Sequence, residues 1–302
     1  LHHQPIPIAE LHKADVQLRL RAQRLLLYRY DLANLKLDGT LDNGLMQLQA
    51  HAAEGDLRGN IRFDVRKAPG IAMRIEMDEV EARTLYTGDV NSGGTSFPRL
   101  TMRAQVAGTG TTLGGMLASA NGGLIVTAGP GTLPVQTGFG FERIAGNILF
   151  VLVPGRRASE LNELECAAAN FTIANGVATS NDGIVLRFRR MDIMGSGAAN
   201  LTNGQIRFGY RVVRRNFFSL SLLGLTSGFA QVTGTIGNPS VQLDPRSSVI
   251  TGAAAWATAG ISLLVADLWR KLGATGDTCA RIAGSAQLAK DPLEKLLGER
   301  QH

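Results

Sequence analysis

Apolar and polar residues alternate along most of this chain with a period of two. Val16, Leu18, Leu20 and Ala22 form one stripe, and Leu35, Leu37 and Leu41 form the next, ending at Asp42-Asn43-Gly44. Leu45, Ile61, Phe63 and Val65 follow, then Ile71, Met73, Ile75 and Met77 beyond Pro69-Gly70, and Leu100, Met102, Ala104 and Val106 close the set. The intervening positions, among them Gln17, Arg19, Arg21, Lys36, Asp38, Arg62, Arg74, Glu76 and Arg103, are polar. Alternation puts one set of side chains on each face of a strand, so residues 15–107 read as an antiparallel β-meander wet on one side. Fully buried parallel strands are excluded by the same pattern.

A second meander spans 166–245. Phe171 and Ile173 lead to an Asn175-Gly176 turn, and Ile184, Leu186 and Phe188 follow Asn181-Asp182-Gly183. After Asn203-Gly204 come Ile206, Phe208, Tyr210 and Val212. Asn-Gly adopts positive φ at low cost, so each such dipeptide marks a hairpin. Arg187, Arg189, Arg207 and Arg211 fall on the opposite side of these strands.

Between the meanders, over 108–165, the period changes to helix, strand and helix. Thr111 or Thr112 offers an N-cap for a short helix to Ala120, Leu124, Ile125 and Val126 make a strand, and Phe141, Ile144, Ala145, Ile148, Leu149 and Leu152 recur at helical spacing up to Pro154. Residues 1–14, with Pro5 and Pro7, read as an extended lead-in rather than a helix. Residues 246–302 read as a helical tail with its main helix over 249–271. Ser247 to Ala266 carries no charge and is long enough to span a bilayer. Thr251, Gly252, Thr258, Gly260 and Ser262 dilute its apolarity, which favours a helix packed on the end of the sheet.

In the second meander the chain resembles the C-terminal region of the AsmA family, Gram-negative envelope proteins related to TamB and YhdP. The resemblance rests on Phe171, Ile173, Gly176 and Ala178, then Leu186, then Gly195, Gly197 and Leu201, and finally Val232, Gly234, Asn238 and Pro239 in the closing VTGTIGNPSVQLDP. The helix, strand, helix order of the insertion is similar too. What the resemblance implies is a periplasmic protein anchored in the inner membrane by an N-terminal segment, with an elongated curved β groove that binds or conducts phospholipid acyl chains toward the outer membrane. The runner-up is a factor for outer-membrane protein assembly that receives strands at its sheet edge.

The chain has 302 residues and a formal charge of +6, which suits anionic partners such as phospholipid head groups. Nucleic acid is disfavoured: aromatics are 6% of residues and no Lys/Arg cluster is interleaved with them. The sequence begins at Leu1 with no signal-peptide pattern, which reads as a fragment. Cys166 and Cys279 either pair in an oxidising compartment or sit apart as small apolar fillers.

Enzyme chemistry finds little support. Gly108-Thr109-Gly110 with Gly114 lacks the third glycine spacing of a dinucleotide loop and an acidic residue about twenty positions on. Ser196 sits between Gly195 and Gly197 inside a strand pattern rather than at a strand-to-helix elbow, where glycine serves close backbone approach. His51, the lone histidine of the β region, reads as a surface strand residue and leaves a hydrolase triad without an obvious base, and Asp78, Glu79 and Glu81 face no second carboxylate across a cleft. His2, His3 and His12 read as exposed linker histidines rather than metal ligands. No cofactor is implied. The candidate functional surface is therefore the apolar face itself: Val16, Leu18, Leu20, Leu35, Leu37, Leu41, Ile61, Phe63, Val65, Ile71, Met73, Ile75, Met77, Leu100, Met102, Ile184, Leu186, Phe188, Ile206 and Phe208.

Overall fold

The structure, a computed structural model, describes residues 6–27, 30–52, 56–82, 96–132, 163–180, 183–189, 191–214, 229–236, 238–243 and 278–284. Fifteen strands in one antiparallel sheet make up nearly all of it, with three short helices. β1 (Val16–Leu27), β2 (Tyr30–Asp42), β3 (Leu45–Ala52), β4 (Leu57–Asp64), β5 (Gly70–Glu81) and β6 (Arg99–Thr109) meander in sequence order. β7 (Asn121–Ala128) and the two-residue β8 (Gly131–Thr132) both pair with β9 (Glu163–Ala174). β10 (Val177–Thr179) and β11 (Ile184–Phe188) share the place between β9 and β12 (Met191–Asn200). β13 (Gln205–Arg214), β14 (Phe229–Thr235) and β15 (Asn238–Leu243) complete the sheet, with β1 and β15 at its edges among the described residues.

Turn chemistry fixes the register. Asn43 and Gly44 have φ of 44° and 78°, and Asn175 and Gly176 have 48° and 74°, the pair of positive values a tight hairpin needs. The first of these turns sets Asp42 opposite Leu45. Leu45 therefore belongs to the polar row, beside Asp64, and not to the apolar stripe in which the alternation placed it. Met46, Leu48 and Ala50 supply the apolar side of β3 instead.

The helices occupy the turn end of the sheet and its outer surface. α1 (Ile8–Leu11) corrects the extended lead-in: Pro7 serves as N-cap, where its missing N–H costs nothing, and its carbonyl accepts from Leu11 N at 3.2 Å. The Ile6 amide donates to Thr111 O at 3.1 Å, tying this segment to the β6–β7 connection. α2 (Leu113–Ala118) follows the expected cap, with Thr112 Oγ1 accepting from Gly115 N at 3.0 Å. The β7 strand begins at Asn121, three residues earlier than its apolar run. α3 (Thr278–Gly284) lies within the expected helical tail. The helices expected over 140–153 and 249–271 lie outside the described residues, as do His2 and His3.

Candidate functional site

Residues directly opposite in an antiparallel sheet point to the same side, so the register decides which side chains share a face. One row can be followed across all thirteen strand positions: Leu18, Gly39, Leu48, Ile61, Met73, Val106, Gly122, Ile173, Ala178, Ala199, Ile206, Gly234, Pro239. A parallel row runs Ala52, Leu57, Met77, Met102, Val126, Ala169, Ile184, Gly195, Tyr210. Neither row contains an ionisable group other than the Tyr210 phenol, whose pKa burial pushes upward. At the usual strand spacing the apolar face extends roughly 58 Å across the strands, and its four inward positions per strand span about 20 Å along them.

This inner face is concave. Phe171 on β9 and Phe208 on β13 meet edge to face with ring centroids 6.2 Å apart, although two strand positions lie between them. A flat sheet would separate those strands by about 14 Å. Glycine makes the approach possible: a Cβ at Gly197 would collide with Phe208, and one at Gly195 would lie 2.5 Å from the Tyr210 ring. This is the close-approach role expected for these glycines. At the turn end α2 closes the concavity, its Met116 buried and its backbone carbonyl lying where a Cβ of Gly108 would have to go.

The candidate residues fall on this face and divide by burial. Leu35, Val65, Met77, Phe188 and Ile206 are buried, and Phe188 and Ile206 join Leu164, Met191, Ile193, Tyr210 and Val232 in a packed cluster over β9–β14. Their first role is to hold the sheet together. Leu37, Leu41, Ile61, Phe63, Ile71, Met73, Ile75, Leu100, Met102, Ile184, Leu186 and Phe208 are half-buried. Val16, Leu18 and Leu20 on the edge strand are exposed at 50%, 47% and 41%. Met46, Leu48, Leu124, Val126 and Phe171 also belong to the surface, where the pairing register places them.

The outer face carries the charge. Arg21 donates to both Asp38 oxygens at 2.9 Å and holds that carboxyl below its usual range. Asp78 accepts from Arg103 at 2.6 Å and Arg58 at 2.7 Å, and the Arg103 bond leads in lowering its pKa. The Asp78 end of the acidic patch is thus an ion-pair site.

One part of the outer face is apolar. Ala168, Val185 and Met194 are covered there by Cys279 and Ile282 of α3, and a Cys166–Cys279 disulfide fastens the helix to β9. Beside it Arg187 donates to Thr278 Oγ1 at 2.9 Å and lies 3.3 Å from the buried Asp192 carboxylate. A hollow of about 460 Å³ on the same side, at the turn end, is lined by residues including Val177, Thr179, Asn200, Arg207 and Thr233. Among the described residues no group of His, Cys, Asp or Glu is arranged to hold a metal, and no helix is long and apolar enough to cross a membrane.

Comparison of the chain with protein-family profiles, with curated proteins and with solved structures finds no match. The likeness to the AsmA family therefore rests on the residues given above.

Proposed function

We propose that this chain is a non-enzymatic part of a Gram-negative envelope protein, lying in the periplasm and anchored in the inner membrane through its parent. It holds phospholipid acyl chains along the inner face of the sheet and supports outer-membrane biogenesis. The observation that carries the reading is the row of uncharged side chains running unbroken from β1 to β15. Such a surface binds methylene chains at roughly 25 cal/mol per Å² of apolar area covered and makes no demand on chain direction or head-group chemistry. Head groups, which cannot enter an uncharged trough without losing hydration, would stay at its rim with Arg and Lys side chains. The resemblance to AsmA supports the same assignment.

The test uses arginine at two half-buried inner positions, Phe63→Arg and Met73→Arg. Wild type purified from cells should release phospholipid on organic extraction and show lipid-bearing species in native mass spectrometry. In an open trough a long arginine can turn its head to water, so both variants should lose lipid while melting within a few degrees of wild type. A lipid-free wild type, together with variants that fail to fold for want of a partner to a buried charge, would make this a closed scaffold instead.

A further inference from the structure

We propose that Arg187 is a positioning residue for closing the Cys166–Cys279 bond: held by Asp192, it captures Thr278 and so seats Cys279 over Cys166 before the two sulfurs join. The inference rests on the outer face alone and is independent of lipid binding. Cys166, Arg187 and Asp192 stand directly opposite one another on β9, β11 and β12, and so share one side of the sheet. The Arg187 guanidinium lies between two acceptors, the Asp192 carboxylate at 3.3 Å and Thr278 Oγ1 at 2.9 Å. Thr278 is the first residue of α3 and immediately precedes Cys279 in the chain. Whatever holds its hydroxyl therefore brings the Cys279 thiol to the strand neighbour of Arg187.

The apolar part of the contact lacks that precision. Burial of Ile282 on Ala168, Val185 and Met194 is non-directional, so a helix of 7 residues could rest there turned or shifted with little loss. The polar row is more demanding. Asp192 is 7% exposed, Thr278 1% and the Arg187 side chain 18%, so each must find its partner or give up hydration without return. A buried ion pair adds little net stability over apolar groups of the same size, and its best-attested use is to fix a register. Here the register is that of α3 on β9 and β11. The bond needs that placement, because two cysteines join only with their Cα atoms within about 7 Å, and these stand 6.4 Å apart.

The chemistry served is thiol–disulfide exchange. One cysteine thiolate attacks a small-molecule disulfide, forming a mixed disulfide and releasing one thiolate. The second cysteine thiolate attacks the protein sulfur of that mixed disulfide, closing Cys166–Cys279 and releasing the other. The protein gives up two electrons and two protons, and the oxidant ends as two thiols. Arg187 acts on the second step, by raising the share of molecules in which the sulfurs are adjacent. In the reduced chain α3 is docked only part of the time, since few contacts oppose the entropy of ordering its residues, so a weaker dock shows directly in the bridged fraction.

The experiment equilibrates the whole chain with mixtures of reduced and oxidised glutathione and reads the bridged fraction by alkylation and mass spectrometry. Thr278→Val, which keeps the shape and removes the hydroxyl, should lower the equilibrium constant for bridging about tenfold, the factor for one hydrogen bond to a charged group. Thr278→Ser, which keeps the hydroxyl, should match wild type. Arg187→Gln/Asp192→Asn should lose as much as Thr278→Val, and adding Thr278→Val to that pair should remove nothing more. In a Cys279→Ala background, oxidised glutathione should modify Cys166 no more slowly when Thr278→Val is added, since the first step needs no α3. The Thr278 variants leave the Arg187–Asp192 pair in place, so their result stands even if the paired variant fails to fold. An equilibrium constant unmoved by Thr278→Val, an equal loss in Thr278→Ser, additive losses with the paired variant, or slower modification of Cys166 would each overturn the proposal.

Discussion

Breaking the link between Cys166 and Cys279 perturbs the molecule in two separable ways. The bridge closes 113 residues of chain, from β9 to α3. In the chain-entropy account, a loop of that size restricts the unfolded ensemble by about 4.7 kcal/mol, which is lost in full if the native geometry stays the same. Locally the bridge holds a helix of 7 residues, too short to persist alone in water. Without the covalent tie α3 is kept in place by burial of Ile282 against Ala168, Val185 and Met194, worth about 2 kcal/mol, and by the Arg187–Thr278 hydrogen bond, worth about 1. The Cys166→Ala/Cys279→Ala variant should therefore keep its sheet and open at α3 well before the strands separate. With a urea slope of about 3 kcal/mol per M, its midpoint by far-ultraviolet circular dichroism should fall by about 1.5 M relative to the oxidised protein. Amide exchange at 278–284 should accelerate well below that midpoint. Thiol-reduced wild type should match the variant. Equal midpoints for oxidised and variant protein, or two reactive thiols in unreduced unfolded protein, would refute the reasoning.

Two further outcomes follow from burial and charge. Phe188→Ala, which empties a site 2% exposed inside the β9–β14 cluster, should cost about 3–5 kcal/mol, whereas Leu18→Ala at 47% exposure should cost well under about 1; thermal melting separates them. The hydrogen bond from Arg66 holds the Asp64 carboxyl at about 2, down from 3.8, so its contribution is present above about pH 4 and lost as pH falls toward about 2. Asp64→Asn should flatten that part of the acid unfolding profile in urea melts and leave the profile above about pH 5 unchanged in shape; an identical acid slope in both proteins would count against the pair.

The strands were legible because a half-buried sheet writes its two faces into alternate residues, and most positions from Val16 to Val106 obeyed. Leu45 escaped because alternation cannot tell which residue a two-residue turn sets opposite Asp42; only the hydrogen-bond register can. Met46 and Leu48 were missed for the same reason. α1 was hidden by its prolines, which read as extended chain although Pro7 suits a helix start. The cysteine pair stayed undecided in sequence because 113 residues separate the partners and nothing local encodes that Cys279 returns to β9. The apolar candidates were recoverable as a face. Their division into packed and half-open members was not, since it depends on how the sheet bends over Gly195 and Gly197.

The order of strands in the sheet is nearly the order of strands in the chain. Each new strand can pair with the one just made, so the cost of loop closure is met in small instalments as assembly advances from β1. A chain emerging N-terminus first, as from a ribosome or a translocation pore, can therefore grow its sheet while it arrives, with no strand waiting for a distant mate. Cys279 is the exception, because it enters after the last strand and must reach back to β9. The Cys166–Cys279 bridge can therefore form only after residue 279 has been made, later in synthesis than every described strand.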